Sequence, residues 1–432
     1  MAGERPTVVV IGAGFGGLTL ARRLRRAPVR VILVDRNNYH LFTPLLYQVA
    51  SALLDPGEIA QPVRKLIAGI GNCEFRQATV ESFDLDRRRV HTDRGDLEYD
   101  HLVLAPGSST NYFGNASLTS ESFGLKKLPE GIALRNRVID CFERARWEGS
   151  AEARRRLLSF AVIGGGPTGV EYTGALTEFI HLAVRRDYPG MNPDEPRVTL
   201  IEAAPHLLGG FDGSLADAAV QALMAKGAQV RLGAMVKGVD EGVVTLQDGS
   251  TLPAGTVVWT AGVEAAELAR DLEIGHGRQG RIEVEPTLQL RGRPEVLAIG
   301  DACALDGLPM LIPVAMQQAK HAATVIRDMV AGRSPGPFRY HDPGIMATIG
   351  RNQGVAQIGR LRLKGLFGWG AWLVVHLVNV VTFRARAMVL INWAQEYLFY
   401  DRPVRILVRP EDDTRIEPLD QVAAAAEKRR DD

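Results

Sequence analysis

An α/β fold with two Rossmann-like dinucleotide-binding domains plus a C-terminal membrane-associating region is predicted by three observations. A β-branched run enters a glycine-rich turn twice, at Thr7–Gly17 and at Phe160–Gly169. Each turn is followed by a helix-like stretch and a second strand ending in an acid, Asp35 and Glu202. Residues 350–409 carry nine basic residues against two acidic ones around a long uncharged apolar run, so the rest of the chain is mildly acidic.

The first unit reads strand (Thr7–Ile11), turn (Gly12-Ala13-Gly14-Phe15-Gly16-Gly17), helix (Leu18–Arg26) and strand (Val29–Asp35). Glycines here permit a tight turn and let backbone N–H groups reach a pyrophosphate at a helix N-terminus, while the acid accepts from a ribose hydroxyl. The second unit runs from Phe160–Ile163 through Gly164-Gly165-Gly166-Pro167-Thr168-Gly169 to the strand Arg197–Glu202. Asp35 lies 23 residues after Gly12 and Glu202 lies 38 after Gly164. An insertion over Ile180–Pro196 is expected to account for the excess. One such motif could be an ordinary glycine turn. Two, each closed by an acid-tipped strand, point to two dinucleotides, and so to a flavin and a nicotinamide between which hydride can pass.

The 432 residues, 46% hydrophobic and 23% charged, can bury sizeable cores, which excludes disorder as the main state. The net charge of +1 speaks against a nucleic-acid binder. Cys73, Cys141 and Cys303 form no C-x-x-C, excluding a redox disulfide of local spacing and a cysteine-rich zinc site; no metal is called for. Glu4 and the early glycines argue against a signal peptide, so a cytosolic start is expected.

Val80–Val90 with Leu97–Leu104, and Val239–Leu246 with Thr251–Trp259, read as hairpins around Arg94-Gly95-Asp96 and Asp248-Gly249. Gly332–Pro337 reads as a linker, and the tail from Gln421 as a fraying or disordered end. The stretch Gly365–Phe383 has no formal charge, with Trp372, His376, Asn379 and Phe383 recurring as a polar streak. Ala387–Tyr400 repeats the theme, with Asn392, Gln395 and Glu396 on one side. Arg384 and Arg386 are expected to separate the two segments, and Arg360, Arg362 and Lys364 precede the first. Two amphipathic helices on a membrane surface account for the flanking charges; a buried core or dimer interface, and a spanning helix, are the other readings.

The strand PEVLAIGD (294–301) resembles the flavin-ribityl contact of the two-dinucleotide-binding-domain flavoproteins, and LVLAPG (102–107) and VVWTAG (257–262) resemble their connecting strands. Pro106 stands where most members have Thr. Longer stretches resemble type II NADH dehydrogenase, the single-subunit, non-proton-pumping NADH:quinone oxidoreductase. They include 34–64, 124–139, VIGGGPTGVEYTGALTEF (162–179), AIGDAC (298–303), VAMQQAKHAA (314–323) and 381–407. The resemblance implies FAD at the N-terminal motif, held by Gly12, Ala13, Gly14, Phe15, Gly16, Gly17, Asp35, Arg36, Gln48, Val80, Ala105, Gly107, Asp301 and Ala315. It implies NADH at Gly164, Gly166, Pro167, Thr168, Gly169, Glu202 and Gly262. It gives Glu171 a place beside flavin and nicotinamide, and makes Gln317 the second glutamine of a quinone-site motif whose first falls at Pro313.

The expected layout is FAD-binding over 1–112 and 276–335, NADH-binding over 113–275, a C-terminal membrane or dimer region over 336–418 and a tail over 419–432. The expected protein is a homodimeric peripheral enzyme on the cytoplasmic face of the cell membrane, passing electrons from NADH to a quinone. A flavin NAD(P)H reductase with a soluble or unusual acceptor, and a flavin-bearing redox sensor, are the alternatives.

Overall fold

The computed structural model describes residues 5–270, 272, 274–399 and 404–407. The expected tail over 419–432 lies outside the described residues.

The first glycine unit sits at the centre of a six-stranded sheet. Thr7–Ile11 lies between Arg30–Asp35 and His101–Leu104, all parallel; Cys73–Gln77 and Arg293–Ala298 extend the sheet on either side, and Gln289–Leu290 closes one edge antiparallel. Its central strands are nearly continuous apolar runs because both faces are covered. The helices Phe15–Arg23 and Ile312–Val330 pack together, bringing residues some 300 positions apart into one layer.

The second unit builds a four-stranded parallel sheet in the order Gln229–Arg231, Arg197–Ile201, Ser159–Ile163, Thr256–Trp259. The antiparallel pairing of Ser108–Thr110 with Val263–Ala265 marks where the chain passes out of the first unit and returns to it. The helix after the second glycine turn runs from Pro167 to Arg186. The long spacing to Glu202 therefore comes largely from a 20-residue helix, with only 187–196 as a loop.

Neither expected hairpin survives intact. Val80–Asp84, Arg89–Thr92 and Leu97–Glu98 form a small antiparallel sheet, but His101–Leu104 pairs with Thr7–Ile11. Val236–Asp240, Val243–Leu246 and Thr251–Pro253 form another, while Thr256–Trp259 joins the parallel sheet. The reason is burial: HLVL and TVVW are too apolar to sit beside an exposed turn and are claimed by the two central sheets.

A three-stranded antiparallel sheet, Ile345–Thr348, Gly354–Ile358 and Leu361–Lys364, is covered by the helix Leu366–Asn379. Gly354 and Gly368 make that packing possible. A Cβ on Gly368 would overlap the Gly354 carbonyl, and one on Gly354 would lie 2.7 Å from the Trp369 nitrogen. The second C-terminal helix, Phe383–Phe399, contains Arg384 and Arg386, so these arginines are part of its first turn rather than of the connection. Among the described residues no helix is long and apolar enough to cross a membrane.

The expected polar streak also divides. Trp372 is fully buried against the body and His376 half-buried, whereas Asn379 and Phe383 are exposed. Asn392 and Trp393 both face the body, Asn392 donating to Glu58 at 2.5 Å. Leu366, Phe367, Val374, Val378, Leu390, Ile391, Leu398 and Phe399 are exposed, so both helices carry apolar side chains in solvent.

Candidate dinucleotide and redox site

Gly12 adopts φ +102 and lies against the Ala105 carbonyl, where a side chain would collide. Gly17 packs equally closely on the Gly12 carbonyl, locking the start of the helix onto the strand. Gly14, the residue before the first helical turn, faces open space. The turn thus offers unblocked backbone at a helix N-terminus, as a pyrophosphate requires. Asp35 accepts from the N–H groups of Ala13 and Asn37, each at 2.8 Å. Burial raises its pKa, and those two donors oppose the rise.

The second turn repeats the construction. Gly164 has φ +111 and abuts Ala261 of the VVWTAG strand, Gly169 packs on the Gly164 carbonyl, and Gly166 faces open space. Glu202 accepts from Gly165 N–H at 2.5 Å and Ala204 N–H at 2.7 Å, matching the Asp35 clamp. Pro167 opens the helix, where its missing N–H is no loss, and Thr168 beside it is exposed. Gly262 lies against Phe113, whose ring would meet an added Cβ at 2.9 Å.

Asp301 accepts from Ser108 Oγ at 2.5 Å and pairs with Lys126 at 3.5 Å. The preceding Gly300 has φ +73, and its N–H donates to the buried Gln318 side chain at 2.7 Å. Ala315 packs against Gly300. Cys303 is a buried packing residue: burial pushes its thiol up to about 12, and it accepts from Gln318.

Glu171 stands on the first turns of the Pro167–Arg186 helix and is buried. Gly174 lets that helix approach the backbone of 349–350, with an added Cβ only 2.9 Å from Ile349. One Glu171 carboxylate oxygen consequently accepts from Thr348 N–H at 3.3 Å and from the Trp372 indole N–H at 2.8 Å. Burial pushes the carboxyl up to about 8 against both donors. Trp372 stacks on His376 with ring centroids 4.0 Å apart, and Tyr47 and Trp393 flank it at 6.2 and 5.8 Å. Trp393 donates to Gln48 at 2.9 Å, and Gln48 donates to the Tyr47 hydroxyl at 2.8 Å.

The remaining expected residues are dispersed. Gln317 makes a two-way contact with the His341 backbone, donating to its carbonyl at 2.8 Å and accepting from its N–H at 3.0 Å. Pro313 is in the first turn of the same helix. Arg36 is exposed just beyond Asp35, Val80 is half-buried in an edge sheet, Gly107 turns the chain with φ +77, and Phe15 begins the first helix. Thr348, Trp372, Gln318 and Trp393 were not singled out as polar partners. Gln318 is supplied from 18 residues beyond Gly300, whereas Thr348, Trp372 and Trp393 meet partners 177, 201 and 345 residues away.

Residues 6–319 match the family described as pyridine nucleotide-disulphide oxidoreductase. The chain is 36% identical to the type II NADH:quinone oxidoreductase Ndh of Mycobacterium tuberculosis, covering 98% of this chain and 95% of that protein. It is 37% identical to NdhA of the same organism, over 92% and 88%. In fold it is similar to NDH2 from Plasmodium falciparum in complex with NADH, with TM-score 0.86 at 19% identity over 94% of this chain and 100% of the other.

Proposed function

The chain belongs to the type II NADH:quinone oxidoreductases of the pyridine nucleotide-disulphide oxidoreductase family, and from that premise we propose how its residues carry electrons from NADH to a quinone. It is a flavoprotein oxidoreductase that binds FAD and NADH. The observation that carries the reading is the pair of matched clamps, Asp35 on the Gly12–Gly17 turn and Glu202 on the Gly164–Gly169 turn, with Gly14 and Gly166 open to a ligand in both.

FAD fits the first turn, with Asp35 at its ribose and Asp301, steadied by Ser108 and Lys126, at the ribityl end. NADH fits the second, with Glu202 at its ribose. FAD, when bound, supplies the hydride acceptor and electron relay. The protein contributes orientation, exclusion of water and a buried acid, Glu171, beside the expected meeting point of the two cofactors. Gln317 is proposed to line the acceptor side by fixing the His341 loop, since its amide is engaged there.

The division into FAD-binding segments 1–112 and 276–335, an NADH-binding segment 113–275 and a C-terminal region 336–418 is part of the proposal. The outward apolar face of the C-terminal helices, bordered by Arg360, Arg362, Lys364, Arg384 and Arg386, is proposed to dock on a lipid surface, with the dinucleotide sites on the cytoplasmic side where NADH is made. A homodimer built on part of that apolar face completes it. Steady-state NADH oxidation against a panel of quinones and soluble acceptors tests the central claim. Turnover with soluble acceptors and none with any quinone would refute it.

A further inference from the structure

We propose that Trp372 is a positioning residue for the Glu171 carboxylate, its indole N–H fixing the acid's orientation and tying the first C-terminal helix to the redox site. The proposal deepens the functional reading above and rests on it for the importance of Glu171.

Trp372 is 1% exposed, and its N–H needs an acceptor. A tryptophan that only filled the core could be satisfied by a nearby backbone carbonyl. Here the donor instead meets a carboxylate on a helix 201 positions earlier, at 2.8 Å. Two close approaches bring it there. The Gly354–Gly368 contact seats the Leu366–Asn379 helix against its sheet one turn before Trp372, and Gly174 brings the Glu171 helix onto the 349–350 backbone. The His376 ring, stacked on the indole, prevents it from tilting away. His376 Nδ1 lies 2.8 Å from the Trp372 carbonyl, which makes that nitrogen the donor. Burial keeps this imidazole neutral, pushed down to about 4.

Opposite faces of this helix therefore do different work. Phe367, Val374 and Val378 point to solvent, and Gly368, Trp372 and His376 point inward. A displacement of the helix changes the contact made to Glu171. The groups bearing on Glu171 are few: the Thr348 N–H, the Trp372 indole, and beyond the indole the neutral His376 and Tyr47. Among the described residues no charged side chain contributes to its shift, so a lost hydrogen bond is not masked.

The test is a pH titration of the Glu171 carboxyl infrared band in the FAD-loaded enzyme, the band being identified by its loss in Glu171→Gln. Trp372→Phe keeps an aromatic ring over His376 and removes the donor. Incorporating 3-benzothienylalanine at position 372 keeps the indole shape without the N–H, which guards against a folding failure of the phenylalanine variant. The midpoint is expected to rise by about one pH unit in either variant, because the charged form loses a hydrogen bond. An unchanged midpoint with the benzothienyl side chain would overturn the proposal. Absence of quinone turnover in the unmodified enzyme would instead overturn the functional reading and leave this titration interpretable.

Discussion

Glu202 accepts the backbone N–H of Gly165 at 2.5 Å, so the acid that ends the second strand is already clamped to the glycine turn it serves. With Glu202 at the NADH ribose, as proposed, the clamp sets a carboxylate against a 2′-phosphate, and NADH should be preferred to NADPH. A cation stands at the end of the neighbouring strand. Arg231, whose backbone carbonyl accepts from Glu202 N–H at 2.9 Å, is exposed at the end of the adjacent strand. The ratio of kcat/KM for the two cofactors should fall about tenfold in Glu202→Gln, equivalent to about 1.4 kcal/mol. A native preference for NADPH would refute the assignment.

Gly14 and Gly12 should fail in different ways. Gly14→Val fills the open cradle without a clash inside the protein, and should yield folded, colourless protein. Gly12→Val forces a side chain into the Ala105 carbonyl at φ +102 and should lower the melting temperature as well. Flavin absorbance per protein and thermal melts separate the two. A full flavin spectrum in Gly14→Val would move FAD elsewhere.

Glu171 makes stability depend on pH in a definite direction. Its carboxyl is pushed from an ordinary 4.5 up to about 8, so folding favours the protonated form. That contribution is complete below pH 4.5 and is lost as pH rises through about 8. Glu171→Gln does not titrate and can still accept from Trp372. Its melting temperature should therefore gain on the native protein between pH 5 and pH 9. A variant-minus-native difference in melting temperature that stays constant or falls over that range would show that the acid is not held protonated.

Docking should depend on the outward residues only. Replacing Phe367, Val374 and Val378 by Ser should abolish binding to vesicles of anionic lipid while leaving NADH oxidation by a soluble dye near its native rate. Trp372 is unsuited to this experiment because it is buried on Glu171. Undiminished vesicle binding would assign the exposed face to a protein interface.

Gln317→Ala removes both contacts to His341 and should slow quinone turnover by roughly two- to tenfold, the scale of one neutral hydrogen bond. Oxidation of NADH by a soluble dye should be nearly unaffected, since the glycine turns and Glu171 are untouched. Loss of the dye reaction with intact quinone turnover would place Gln317 on the wrong side of the site.

The dinucleotide framework was legible because it is local. Strand, glycine turn, helix and acid follow one another within a few dozen residues, and the turn geometry needs glycine at Gly12 and Gly164 whatever lies around them. The same locality misled the reading of His101–Leu104 and Thr256–Trp259, where turn residues suggested hairpins and only burial in the central sheets decided the pairing. The surroundings of Glu171 were not legible in this way. The helical period of Trp372, His376 and Asn379 is visible in the sequence, but which side of the helix faces the body is a packing outcome. It was settled by Gly354 meeting Gly368 and by a buried indole N–H finding the Glu171 carboxylate. Sequence by itself determined the two glycine turns and their acid clamps, because they are built from short, recognisable local units. Tertiary structure decided what surrounds Glu171, because its partners are supplied by segments far away in the chain.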